Sequence, residues 1–176
     1  QGKRFLEMAA QAASGSGVTL KTVSRYSADV ATGVIHTAKE QEATTIILGI
    51  HRKLTAADSH SGPYSEAFLS RLHREVVMIK MLMPFNTLRR IVVAVPPKAQ
   101  FEPGFSKWMN HVLKVGRTLG CQIHFHCSHE TAMFVRLIVD RQGYSDKVRI
   151  EQMDSWDEFM MLSASVNYDH LLIVAA

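Results

Sequence analysis

The chain has 176 residues, 47% hydrophobic and 20% charged, with a net charge of +4. That length fits one domain or two small ones, and the composition excludes a disordered, collagenous or coiled-coil chain. Residues 1–83 carry ten basic and seven acidic side chains, and residues 84–176 carry ten and nine. The weak positive charge is spread along the chain, so no dedicated nucleic-acid surface is expected.

Phe5, Leu6, Ala9, Ala10 and Ala13 recur at helical spacing, and Ser14-Gly15-Ser16-Gly17 ends that segment. Val18–Ser24 alternates and is β-rich, which predicts a strand. Asp29 is placed to cap a helix reaching about Gln41, with Val30, Val34, Ile35 and Ala38 on one face. Thr44–Gly49 is a short uncharged run, as expected of a strand covered on both faces. Beyond a polar stretch over Ile50–Pro63, Ser65–Arg74 reads as helix and Glu75–Met81 as strand.

Leu82–Leu88, with Pro84 and Asn86, reads as a connector. A second series follows. Ile91–Val95 predicts a strand closed by Pro96-Pro97, and Gly104–Leu119 an amphipathic helix through Phe105, Trp108, Met109, Val112, Leu113 and Val115, ended by Gly120. Gln122–Cys127 predicts a strand, Glu130–Arg141 a helix, Lys147–Met153 a strand, Ser155–Ser165 a helix and His170–Ala175 a strand. Strands alternating with helices of this length predict an α/β fold, a parallel sheet with helices on both faces. Val18–Gly49 and Val148–Ala175 share the order strand, Asp-led helix, apolar strand, which suggests two related modules in tandem, residues 1–83 and 84–176. The chain opens on helix-like sequence at Gln1 and closes on the apolar run Leu171–Ala176, so a piece of a longer polypeptide is expected.

No apolar run approaches the ~20 residues needed to cross a bilayer. Cys121 and Cys127 lie six residues apart on one predicted stretch of strand. At ~3.3 Å per residue their Cα atoms are roughly 20 Å apart, beyond disulfide reach, and two free thiols fit a reducing compartment.

The loop after Thr44–Leu48 has the richest chemistry. It carries Gly49, His51, Arg52 and Lys53, then Gly62-Pro63-Tyr64-Ser65 ahead of a predicted helix. Glycine lets a backbone approach a phosphate closely, and His51, Arg52 and Lys53 are placed to neutralise one. The same stretch also reads as an ordinary polar loop with Gly62-Pro63 as its turn and Ser65 as a helix cap. His124 and His126 share one strand face with His129 just beyond, two or three metal ligands at a spacing that matches no established site. A half-buried strand with exposed histidines is the expectation there. Asp154, Asp157 and Glu158 fall in a first helical turn, where acids suit the helix dipole. Neither a glycine-framed serine, a Cys-x-x-Cys pair nor a Gly-Lys-Ser/Thr phosphate loop occurs, so no enzymatic activity is expected.

The element order and the spacing from Gly49 to Gly62 resemble the universal stress protein family, whose glycine motif is Gly-x2-Gly-x9-Gly-Ser/Thr. Its positions fall on Gly49, Arg52, Gly62 and Pro63, two matching and two departing, with Ser65 close by. Where that family's first strand ends in an aspartate, this chain has Pro96-Pro97. The stretches Leu48–Lys53 and Pro84–Lys98 are similar to the cytosolic tail of bacterial cation/proton antiporters of the monovalent cation:proton antiporter-2 type, in which two universal-stress-like modules follow a membrane domain. The resemblance implies two incomplete modules of that five-stranded parallel fold. It implies a regulatory domain of a sodium or potassium/proton antiporter on the cytoplasmic side of the plasma membrane. It further implies ATP, AMP or a cyclic dinucleotide as ligand, held by Gly49, His51, Arg52, Gly62 and Ser65. The implied partners are the membrane domain of the same polypeptide and a second copy in a homodimer. A ligand-free dimerisation or interaction module is the alternative.

Overall fold

A computed structural model describes residues 2–15, 17–49, 71, 74–80 and 83–175. The chain divides into two compact units, residues 1–48 with 52–78, and residues 49–51 with 79–176.

In the first unit, helix α1 (Gly2–Gly15) keeps most of its surface in solvent, and Phe5 is exposed. Helix α2 (Val30–Glu40) starts where the sequence places its cap: the Asp29 side chain accepts a 2.8 Å hydrogen bond from the Thr32 N–H. That bond holds the Asp29 carboxyl below its ordinary pKa. Ala31, Ile35 and Ala38, at i, i+4 and i+7, form its buried stripe and pack with Ile46. Strand β1 (Thr45–Gly49) neighbours β2 (Glu75–Ile79) in a two-stranded sheet, where the Thr45 hydroxyl donates to the Glu75 carboxylate over 2.7 Å.

Two expectations fail in this unit. Val18–Ser24 forms no strand, and every residue of it is exposed. Polar side chains near this stretch reach α2 instead: Lys21 Nζ donates to Gln41 Oε1 at 2.6 Å, and Arg25 pairs with Glu40 at 2.5 Å. β propensity describes a side chain's fit to a half-buried pleat, and this segment has no pleat to join. Strand β1 is not covered on both faces either, since Ile47 is 68% exposed.

The second unit is built on four parallel strands in the order β5-β4-β3-β6: β3 (Arg90–Ala94), β4 (Gln122–Cys127), β5 (Val148–Gln152) and β6 (His170–Val174). Helices α3 (Phe105–Leu119), α4 (His129–Arg141) and α5 (Asp157–Ser165) join them. Ile91, Val93, Ile123, Phe125 and Cys127 alternate onto one sheet face, where they meet Phe105, Met109, Val112 and Leu113 of α3 and Val135 and Val139 of α4. No α5 residue belongs to that core. The connection from β5 to β6 runs back past β4 and β3, so the right-handed rule for parallel crossovers assigns α5 to the opposite face. The second unit is thus an α/β layer structure on a parallel sheet, as the alternating pattern predicts.

Gly120, with φ 67°, closes α3 in the left-handed conformation that glycine adopts without a Cβ clash. Buried Cys121 follows at once. Its carbonyl accepts a 2.9 Å bond from the buried Tyr144 hydroxyl, and Arg117 lies over the Tyr144 ring, 5.4 Å from its centroid. Tyr144→Phe leaves that carbonyl without its buried donor and is expected to lower stability by about 1–1.5 kcal/mol, read as a fall in the urea midpoint at unchanged slope. Cys127 is also buried and free, and burial pushes its thiol up to about 11. An inert structural thiol follows.

Candidate functional site

Of the residues expected to hold a nucleotide, Gly49 is exposed at the end of β1. His51, Arg52, Gly62 and Ser65 lie outside the described residues, as does most of the helix expected over Ser65–Arg74.

In open parallel sheets a ligand crevice forms at the carboxyl ends of the strands where the chain order reverses. In the second unit that place is between β3 and β6. The ladder runs one residue past each strand there: Val95 N–H donates to the His126 carbonyl at 2.9 Å, and Ala175 N–H donates to the Ala94 carbonyl at 3.0 Å. Pro96-Pro97 then turns the chain, and Lys98 takes a left-handed conformation, φ 68° and ψ 9°. A non-glycine residue held there carries backbone strain of the kind found at functional turns. Lys98 is exposed and supplies one cation to this edge.

The next strand end carries a small polar network. The Thr131 hydroxyl, fully buried in the first turn of α4, donates to Gln100 Oε1 at 2.7 Å. It lies 2.9 Å from the Ser128 hydroxyl, and Ser128 caps α4 by accepting from the Thr131 N–H at 3.3 Å. Gln100 Nε2 is buried without a partner among the described residues. The network fixes the β3–α3 loop against the start of α4, and nothing in its spacing within the sequence pointed to it.

Acids at this edge serve the backbone. Glu158 accepts from the Asp154 and Ser155 N–H groups at 3.3 Å each, the reciprocal half of a capping box at the start of α5. Asp154 accepts from the Gln152 side-chain amide and lies ahead of the helix instead of in its first turn. The expected first-turn place holds for Asp157 and Glu158.

The sheet's second face holds the histidines. His124 and His126 are not the exposed pair that the sequence predicts: their side chains are 7% and 14% exposed. Register sets the arrangement. Arg149 stands opposite His124, and Glu151 opposite His126, on the neighbouring strand β5. Glu151 spans both, one oxygen 3.6 Å from His124 Nδ1 and the other 3.7 Å from His126 Nδ1. Burial holds both histidines below their usual pKa. Arg90 and Arg149 push His124 the same way, and Glu151 opposes the shift in each. His129 begins α4 and is absent from this cluster, and no group of three or more His, Cys, Asp or Glu suited to a metal occurs among the described residues.

No protein-family model matches the chain, and none of the curated proteins or solved structures compared with it is similar to it.

Proposed function

We propose that this chain is the cytoplasmic regulatory part of a sodium or potassium/proton antiporter, built from portions of two universal-stress-like modules, and that it senses a nucleotide. The observation that carries this reading is the strand order β5-β4-β3-β6, all parallel, with its reversal between β3 and β6. Open parallel sheets bind ligands at the carboxyl edge beside such a reversal, which supports ligand binding by this fold, while the Gly49–Ser65 loop is a separate stretch of the chain. The Gly49–Gly62 spacing and the two stretches Leu48–Lys53 and Pro84–Lys98 supply the family part of the proposal.

In this reading the chain regulates and does not transport or catalyse. ATP, AMP or a cyclic dinucleotide binds at Gly49, His51, Arg52, Gly62 and Ser65. By preferring one arrangement of the two modules, the ligand biases the membrane domain of the same polypeptide. The bias cannot exceed the difference between the ligand's affinities for the two states. Isothermal titration of the 176-residue chain with ATP, AMP and cyclic di-AMP tests it. Saturable heat with one of them is expected, with at least tenfold weaker binding in Arg52→Ala. No heat with any of the three removes the nucleotide.

A second reading, a ligand-free homodimerisation module, is favoured by one feature. Strand β6 lies at the edge of the four-stranded sheet, with Val174 and the preceding Tyr168 exposed beside it. An unpaired strand edge is a template for a second chain. A stable dimer in light scattering, indifferent to nucleotide, selects this reading.

A further inference from the structure

We propose that the second unit contains an acid-triggered device: His124, His126 and Glu151 form a proton-accepting group on the second face of the sheet, and its protonation loosens the pairing of β4 with β5.

The geometry carries this. Glu151 is 52% exposed to solvent, while both of its histidine neighbours are withdrawn from water. Its distances of 3.6 and 3.7 Å are too long for hydrogen bonds, so the carboxylate is shared between two neutral rings and committed to neither. Glu151 lies opposite His126 and can close to a charge-assisted bond with one protonated ring only, so this single carboxylate cannot compensate both histidines if each gains a proton.

His124 is then in the worse position. Its Nε2 is buried without a partner among the described residues, so a proton placed there becomes a buried N–H donor with no acceptor among them. The charges acting on it are Arg90 from β3, Arg149 from β5 and His126 on its own strand, with Glu151 the one opposing group. Once Glu151 is engaged by His126, every remaining neighbour repels a second proton. The proton that the folded sheet rejects is accepted freely once β4 and β5 part.

The sign follows from the lowered pKa values of both histidines. The unfolded chain binds more protons than the folded one below the ordinary histidine value of ~6.5. Stability is therefore fully present above ~6.5 and declines as the pH falls through it. For each histidine held neutral, the opening constant rises by up to about tenfold per pH unit. These three side chains lie on the second face of the sheet, apart from its carboxyl edge, and respond to acid whether or not a nucleotide binds.

The test is amide hydrogen exchange and imidazole NMR on the 176-residue chain between pH 7.5 and 5.5. The expected result is that His124 and His126 titrate below the ordinary histidine value of ~6.5 and that protection in Gln122–Cys127 and Val148–Gln152 falls as acid is added. His126→Asn is expected to reduce that pH dependence by about one proton. Glu151→Gln is expected to steepen it, because the one group favouring the charged form is gone. Should His126→Asn fail to fold, Glu151→Gln changes a half-exposed side chain, and the wild-type titration needs no variant. Histidines that both titrate near ~6.5, or β4 and β5 protection that is flat across this range, overturn the proposal.

Discussion

Phe125→Ala is expected to destabilise the second unit by about 3–5 kcal/mol, the largest effect of a single truncation among the described residues. Phe125 is the bulkiest of the fully buried side chains. It sits on β4, between β3 and β5, and faces the core made with α3 and α4. No polar atom is lost, so the cost is the transfer of the ring plus the cavity left where three elements meet. Against a usual domain stability of roughly 5–15 kcal/mol, that loss brings the unit close to its unfolding threshold. Met161→Ala is the contrast. Met161 lies on α5, 77% exposed, and its truncation is expected to cost less than ~0.5 kcal/mol. Urea denaturation of the two variants, followed by far-UV circular dichroism, compares them directly.

Gly116→Val is expected to cost about 3 kcal/mol, by overpacking instead of by a void. Helix α3 approaches β4 so closely at Gly116 that an added Cβ would stand 2.5 Å from Ile123 Cδ1, 2.9 Å from Ile123 Cγ1 and 3.6 Å from the Tyr144 ring. Ile123 is itself fully buried, so it has no free direction in which to retreat. Gly116→Ala meets the same contact but regains about 1 kcal/mol of helix propensity, so its net cost is expected to be smaller. The same denaturation experiment checks the order Val > Ala > wild type. An alanine variant more stable than wild type would mean that α3 shifts at little cost.

These two residues differ in how legible they were. Phe125 stands in an alternating strand pattern, so its burial follows from a period of two. Gly116 occupies a core position of a helix otherwise read from Phe105, Met109, Val112 and Leu113, and its closeness to Ile123 exists only once α3 lies on β4. The candidate site shows the same division. The loop from Gly49 to Ser65 was singled out from residue types, yet only Gly49 of its proposed ligands is described, and it is exposed. The Ser128–Thr131–Gln100 network joins Thr131 to Gln100, 31 positions away, a separation that no local pattern encodes.

The alternation of strand and helix, the Asp29 cap and the Gly120 stop belong to the sequence alone. Each depends on neighbours within a few residues, where periodicity, side-chain reach and the missing Cβ of glycine act directly. Strand order, the exposure of Ile47 and the failure of Val18–Ser24 to form a strand were decided by the tertiary structure, because a strand exists only through a partner distant in the chain. The histidines show this most sharply. His124 and His126 share a face by virtue of their spacing. Their burial and their common carboxylate follow from the register that sets Glu151 opposite His126, which is a property of two strands and of neither one by itself.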